Sequence, residues 1–224
     1  MKIISVLKKI SKLEKVTVSL GVNDDEGKIL FKSLNRFHPK YIFIRNKTIG
    51  VSLLNLSEFR TNEDYLVTVS GKNSTAYYSR KCLKDGYIFR ILDPNKFQTE
   101  ILTINSSQTE RQGIKMAASY LHHLNYPDNH HHFYGGLFLN NELVAYIWFV
   151  EQGEMVLVNR ILGHAAHLKK GIMYLLFSSS IKFILKQKIK INWVMYDMFF
   201  GASEGLKLFK TRLGFKPYFV GWKK

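Results

Sequence analysis

The spacing of apolar positions changes period along this chain. Near the C-terminus Leu206, Phe209 and Leu213 recur on one helical face. Gly214 stands where a helix stop needs a residue free to take positive φ. Pro217 then leads into residues 218–222, so a short helix and a final strand are predicted. At the other end Ile3, Val6, Leu7, Ile10 and Leu13 recur with lysines interleaved, which predicts a basic amphipathic helix. Residues 15–20 alternate as a strand. Residues 28–37 read as a helix that stops before Pro39, and 41–45 and 48–54 as strands around Asn46-Lys47. Residues 64–84 read as mostly helical, with a break near Gly71.

From Tyr87 the order becomes regular. Residues 87–92 form a predicted strand. Asp93 and Pro94 open a helix as N-cap and first residue, running to about 104. Ser107 and Glu110 have capping-box spacing, which predicts a second helix over 107–124. Three strands follow, 133–139, 143–151 and 154–162. Their turns, Asn140-Asn141 and Gln152-Gly153, are too short for crossovers, so the three should form an antiparallel meander. A long helix over 168–188, a strand over 191–198, the helix around Leu206 and the last strand complete the chain.

Composition narrows the function classes. The 224 residues are 46% hydrophobic, enough for a packed core. Cys82 is the only cysteine, which excludes an intramolecular disulfide and a Cys-rich zinc site. No apolar run reaches the roughly 18–20 residues of a membrane span, and no secretory signal is recognisable, so a cytoplasmic protein is expected. The formal charge is +16, and no acidic residue falls between Glu154 and Asp197. That span reads as a solvated basic face or as a face that meets a polyanion such as coenzyme phosphates, RNA or an anionic membrane. Residues 1–13 either pack on the domain or make a peripheral membrane contact. His122, His123, His130, His131 and His132 are mostly adjacent and point in different directions, so no metal site is expected.

The element order from Tyr87, together with the Leu213-Gly214-Phe215-x-Pro217 ending, resembles the GNAT superfamily of N-acyltransferases. The resemblance implies an α/β GNAT fold: a mixed central sheet, flanked by helices, with a splay between its fourth and fifth strands. It covers residues 86–224, with residues 1–85 an accessory α/β segment packed on that domain. In this family the junction after the fourth strand holds the coenzyme A pyrophosphate on helix N-terminal amides. The matching residues are Gly163, His164, His167, Lys169, Lys170, Gly171 and Ile172. Leu168 and Met173 depart from the family pattern of Arg or Gln and a small residue.

Lys210 stands where many members carry Tyr. Its setting, Phe209-Lys210-x-x-Leu213-Gly214, resembles the Fem-type aminoacyltransferase branch, as does Tyr196-Asp197 after an apolar strand. That likeness implies that Lys210 faces the reacting carbonyl, the alternative being an exposed helix lysine. Asp197, with Tyr196 beside it, would take or bind the acceptor's ammonium proton, or would cap the next turn. Arg111 and Gln112 would lie on the acceptor wall. The implied function is transfer of an acyl group from acetyl-CoA or another acyl-CoA to a primary amine, on a small molecule or a polymer, by direct attack. Aminoacyl-tRNA as donor is one alternative. A non-catalytic nucleic-acid-binding module is another.

Overall fold

In a computed structural model, the structure describes residues 10–39, 45–111, 114–187 and 191–224. The elements are β1 (Glu14–Ser19), α1 (Asp25–Asn35), β2 (Ile49–Asn55), α2 (Asn62–Thr68), α3 (Thr75–Lys84), β3 (Ile88–Ile91), α4 (Gln98–Ser106), β4 (Glu110–Arg111) and β5 (Ile114–Lys115). After them come β6 (His132–Leu139), β7 (Glu142–Gln152), β8 (Met155–Gly163), α5 (Ala165–Leu168), α6 (Ile172–Lys186), β9 (Trp193–Met198), α7 (Glu204–Arg212) and β10 (Lys216–Lys223). Most of the predicted helix at 3–13, and most of the strand at 41–45, lie outside the described residues.

Local chemistry explains the boundaries. Asp24 caps α1 by accepting from the Gly27 N–H at 2.7 Å, so the helix begins three residues before the predicted start at 28. Thr61 and Asp64 make a capping box on α2, and Ser74 caps α3. Between them Gly71 takes φ +126, the predicted break. Asn140 and Asn141 both have positive φ, 50° and 65°, as a two-residue hairpin turn requires.

The second predicted helix, 107–124, does not form. Ser107 instead ends α4, donating its hydroxyl to the Ile104 carbonyl at 2.7 Å. The short strands β4 and β5 and a 3-10 turn at Ala118–Tyr120 follow. The buried Asn105 amide donates to the Tyr120 carbonyl at 2.8 Å and holds that turn down. Capping-box spacing was misleading here because the hydroxyl serves the preceding helix.

The chain divides into two compact units. The first comprises Met1–Glu58, Glu151–Leu157 and Ile189–Lys224; the second comprises Phe59–Val150 and Val158–Lys188. Strand order is β1-β10-β2-β9-β8 in the first and β8-β7-β6-β3 in the second, eight strands of one mixed sheet. In the first unit β10 runs parallel to β1 and antiparallel to β2, and buries Tyr218, Val220 and Trp222 on alternate positions. These pack with Val18, Val51, Leu53 and Met195. As the connecting helix requires, β9 is parallel to β8. The register covers three pairs, Met155↔Trp193 to Leu157↔Met195.

In the second unit β6 pairs antiparallel with β7 and β3. Leu143 to Phe149 are buried without a break, the mark of a strand covered on both faces. Against this unit's core, α6 buries Leu175, Leu176, Phe177 and Ile181. Among the described residues no helix is long and apolar enough to cross a membrane.

Candidate functional site

In the first unit the site is built by α7 and the end of β9. Ser203 caps α7. At the other end Gly214 takes φ +89, and the Phe215 N–H returns to the Lys210 carbonyl at 3.0 Å. This fixes the helix so that Lys210, four residues after Leu206 and three before Leu213, shares their inward face. Lys210 is fully buried. Its ammonium donates to the Tyr196 carbonyl at 2.6 Å and the Met198 carbonyl at 2.7 Å, and lies 4.7 Å from the centre of the Tyr196 ring. Burial pulls its pKa down to about 8; Asp197 works against that shift and Lys47 with it.

Where the ammonium meets it, β9 is bulged. Val51 pairs with Met198 and Leu53 with Met195, so two residues, Tyr196 and Asp197, stand opposite Ser52 alone. Asp197 carries the bulge in left-handed backbone, φ +51, a conformation that is strained for Asp. Its carboxylate is mostly exposed and accepts from the Lys47 ammonium. The structure thus brings Lys210, Tyr196 and Asp197 together and removes the exposed-lysine alternative. It also adds Lys47. The sequence reading saw Asn46-Lys47 only as a turn, and nothing in the pattern pointed to a partner 150 residues away.

In the second unit the turn from β8 into α6 holds the predicted phosphate-binding residues. Its amides are largely occupied. The His164 N–H donates to the Val144 carbonyl at 2.8 Å, and the Ala165 N–H to the Ser107 hydroxyl at 3.0 Å. Ala166 donates to His164 Nδ1, His167 to the His164 carbonyl, Lys170 to the His167 carbonyl and Gly171 to the Leu168 carbonyl. The Lys169 and Lys170 side chains are exposed, whereas the Ile172 side chain is core. Ile172 can therefore serve an anion only through its backbone N–H, in the first turn of α6.

Gly171 has φ +86 and begins α6. A Cβ there would meet the Tyr78 ring at 2.4 Å, and Tyr78 stacks on Tyr174 with centroids 5.1 Å apart. At Gly163 a Cβ would stand 2.6 Å from Met173 Sδ, so Met173 fills the space beside the strand end. His167 Nδ1 lies 2.8 Å from the Tyr87 hydroxyl. Burial, with His164 nearby, lowers the His167 pKa and favours a neutral ring that accepts from Tyr87. Cys82 is buried, its thiol pushed up to about 11, and donates to the Lys170 carbonyl. A neutral buried thiol is not a nucleophile.

Arg111 is a clamp. It donates to the carbonyls of Ile104 at 3.2 Å and Gly163 at 3.1 Å, joining the end of α4 to the end of β8. Its Nε is buried without a hydrogen-bond partner among the described residues, and burial lowers its pKa. Gln112 lies outside the described residues. Two histidines of the 122–132 cluster have local partners: His132 Nδ1 accepts from Trp148 Nε1 at 2.9 Å, and His123 Nδ1 lies 2.7 Å from Gln98 Oε1.

Neither a family model nor a curated sequence matches the chain. Solved structures do. FemX matches with a TM-score of 0.58 at 9% identity, over 75% of this chain and 59% of that one. The C-terminal DUF2156 domain of an Agrobacterium fabrum protein matches at 0.52 and 12%, over 75% and 58%. L-PGS from Bacillus licheniformis matches at 0.51 and 16%, over 76% and 59%. The chain spans less than two thirds of the length of each. At such identities the likeness concerns architecture alone. Joined to the strand order described above, it gives the chain the α/β fold of these proteins, a mixed sheet flanked by helices.

Proposed function

We propose that this chain is an N-acyltransferase that joins an activated acyl group to a primary amine by direct attack. The observation that carries this reading is the Lys210 arrangement: a buried ammonium retained under a bulged, strained strand end that presents a carboxylate. Buried charge and left-handed backbone both cost stability, and they concentrate where function requires them. Lys210 positions and Asp197 acts. With two of its N–H groups on backbone carbonyls, the ammonium holds the bulge that turns Asp197 outward. The carboxylate then exchanges Lys47 for the incoming ammonium and takes one proton, leaving a neutral amine to attack the acyl carbon. The bond from that carbon to the donor's sulfur or ester oxygen breaks, and the carrier leaves as thiol or hydroxyl with the amine's second proton. Orientation supplies most of the rate. No covalent enzyme intermediate is invoked, in keeping with the inert setting of Cys82.

For the donor, acyl-CoA is the first reading. The first turn of α6 and the exposed Lys169 and Lys170 would meet its phosphates, and residues 86–224 would supply the transferase elements beside an accessory 1–85. One observation favours a second reading, aminoacyl-tRNA. The turn at 164–171 has spent most of its amides on protein acceptors, which leaves a pyrophosphate few donors. The test is thiol release from acetyl-CoA and longer acyl-CoAs with a panel of amines, beside deacylation of charged tRNA with the same panel. Release in the first assay, reduced at least about tenfold in Asp197→Asn, supports acyl-CoA. Amine-dependent deacylation alone selects tRNA. Silence in both, with salt-sensitive RNA binding, would return the non-catalytic reading.

A further inference from the structure

The first unit contains a cavity of about 1010 Å³ that the transfer reading does not use. Leu13, Ile49, Met198, Phe199, Phe200 and Pro217 give it an apolar wall, and each is only half-buried, so hydrocarbon faces the space. Part of that wall depends on a glycine. Gly50 has φ +75, and a Cβ there would stand 2.3 Å from the Phe200 ring, so its absence lets the ring close on β2. The Phe199 N–H donates to the Gly50 carbonyl at 2.7 Å and fixes the segment.

The cavity's charge has one dominant sign. Among the described residues Lys12, Lys207 and Lys216 line it, with His38 beside them and Glu14 as the one carboxylate. Glu204 holds Lys207 at 2.8 Å. Lys12 and Lys216 are exposed and make no ion pair among the described residues. In size the cavity stands at the upper end of the roughly 300–1,000 Å³ of small-molecule sites. Its apolar wall disfavours a bare phosphate or sugar, and its lysines disfavour a cationic ligand.

The geometry points to a binding site for a monomeric, single-chain anionic amphiphile. The apolar tail lies against Ile49, Phe199 and Phe200, and the phosphate or carboxylate head meets Lys12 and Lys216. This site does not depend on the transfer reading and stands or falls by binding alone.

The test is calorimetric titration of the purified chain with decyl phosphate below its micelle concentration, and with decanol. Saturable binding of one decyl phosphate is expected, tighter than decanol. In Lys12→Glu/Lys216→Glu the decyl phosphate affinity should fall at least about tenfold while decanol binding stays. Phe200→Asp should weaken both ligands. Both lysines are exposed, so the double variant should fold, which circular dichroism checks. No saturable binding by the wild type, unchanged affinity in the double variant, or binding only to vesicles of anionic phospholipid would overturn the assignment.

Discussion

At the end of β9 a charge is buried and the backbone is bulged. At the end of β8 the charges lie outside and the backbone is bonded to itself. The first region depends on one side chain, because the Lys210 ammonium donates to both carbonyls at once. The second distributes its amides over the Val144 carbonyl, the Ser107 hydroxyl and its own turn. Substitutions of single side chains should therefore be felt at the first region. The second should tolerate them except where the backbone itself is special.

That exception gives the largest expected effect. Gly171→Val forces a β-branched residue to φ +86 and drives its Cβ into Tyr78. A loss of about 3 kcal/mol is expected, seen as a Tm lowered by roughly 6–12 °C. Weaker donor binding in this variant would not by itself locate the donor, since the turn would be displaced. An unchanged Tm would break the comparison.

Next is Lys210→Met. Two part-buried carbonyls lose the ammonium that donates to them, and urea unfolding at pH 7 should show a loss of about 2 kcal/mol. The pH dependence sharpens the point. The Lys210 pKa is 10.5 unfolded and about 8 folded. Between those values the unfolded chain holds a proton that the native chain has released, so native stability rises with pH. The rise is at most about 1.4 kcal/mol per unit. Lys210→Met should lack this gain when unfolding is compared at pH 7.5 and 9.5.

Arg111→Met removes two carbonyl contacts but also an orphaned Nε. The net cost by urea unfolding should be about 1 kcal/mol. Smallest in stability is Asp197→Gly. Glycine relieves the left-handed strain and gives up an exposed ion pair and the carboxylate's attraction for the Lys210 ammonium, so stability should move by less than about 1 kcal/mol, in either direction. Turnover with an amine acceptor should nonetheless fall at least about tenfold. A variant that keeps its rate would remove Asp197 from the chemistry.

Much of the fold could be read from the sequence because its signals are local. Asp93 before Pro94, the paired asparagines at 140–141 and Gly214 after Leu213 each dictate backbone within a few residues. The failure at 107–124 was local too: a serine hydroxyl can serve the helix before it or after it, and spacing does not say which. At the site, the inward position of Lys210 was present in its spacing from Leu206 and Leu213, but a lysine on an apolar face is usually discounted. The Lys47–Asp197 pair was invisible because it joins distant segments through tertiary packing. Gly171 was recognised as special, yet the reason, the Tyr78 ring, lies more than 90 residues upstream.

The pairing of β1 with β10 sets an order of events during synthesis. Glu14 lies opposite Tyr218, about 200 residues later. β1 is therefore made long before its partner leaves the ribosome. All of the second unit, Phe59–Val150 and Val158–Lys188, has been translated by then. Domains generally fold as units during synthesis, and long-range parallel pairing is slow. The second unit should therefore acquire protection from proteolysis on stalled nascent chains first. β1, with its Val16 and Val18, would wait as an unpaired strand that invites chaperone capture until β10 arrives.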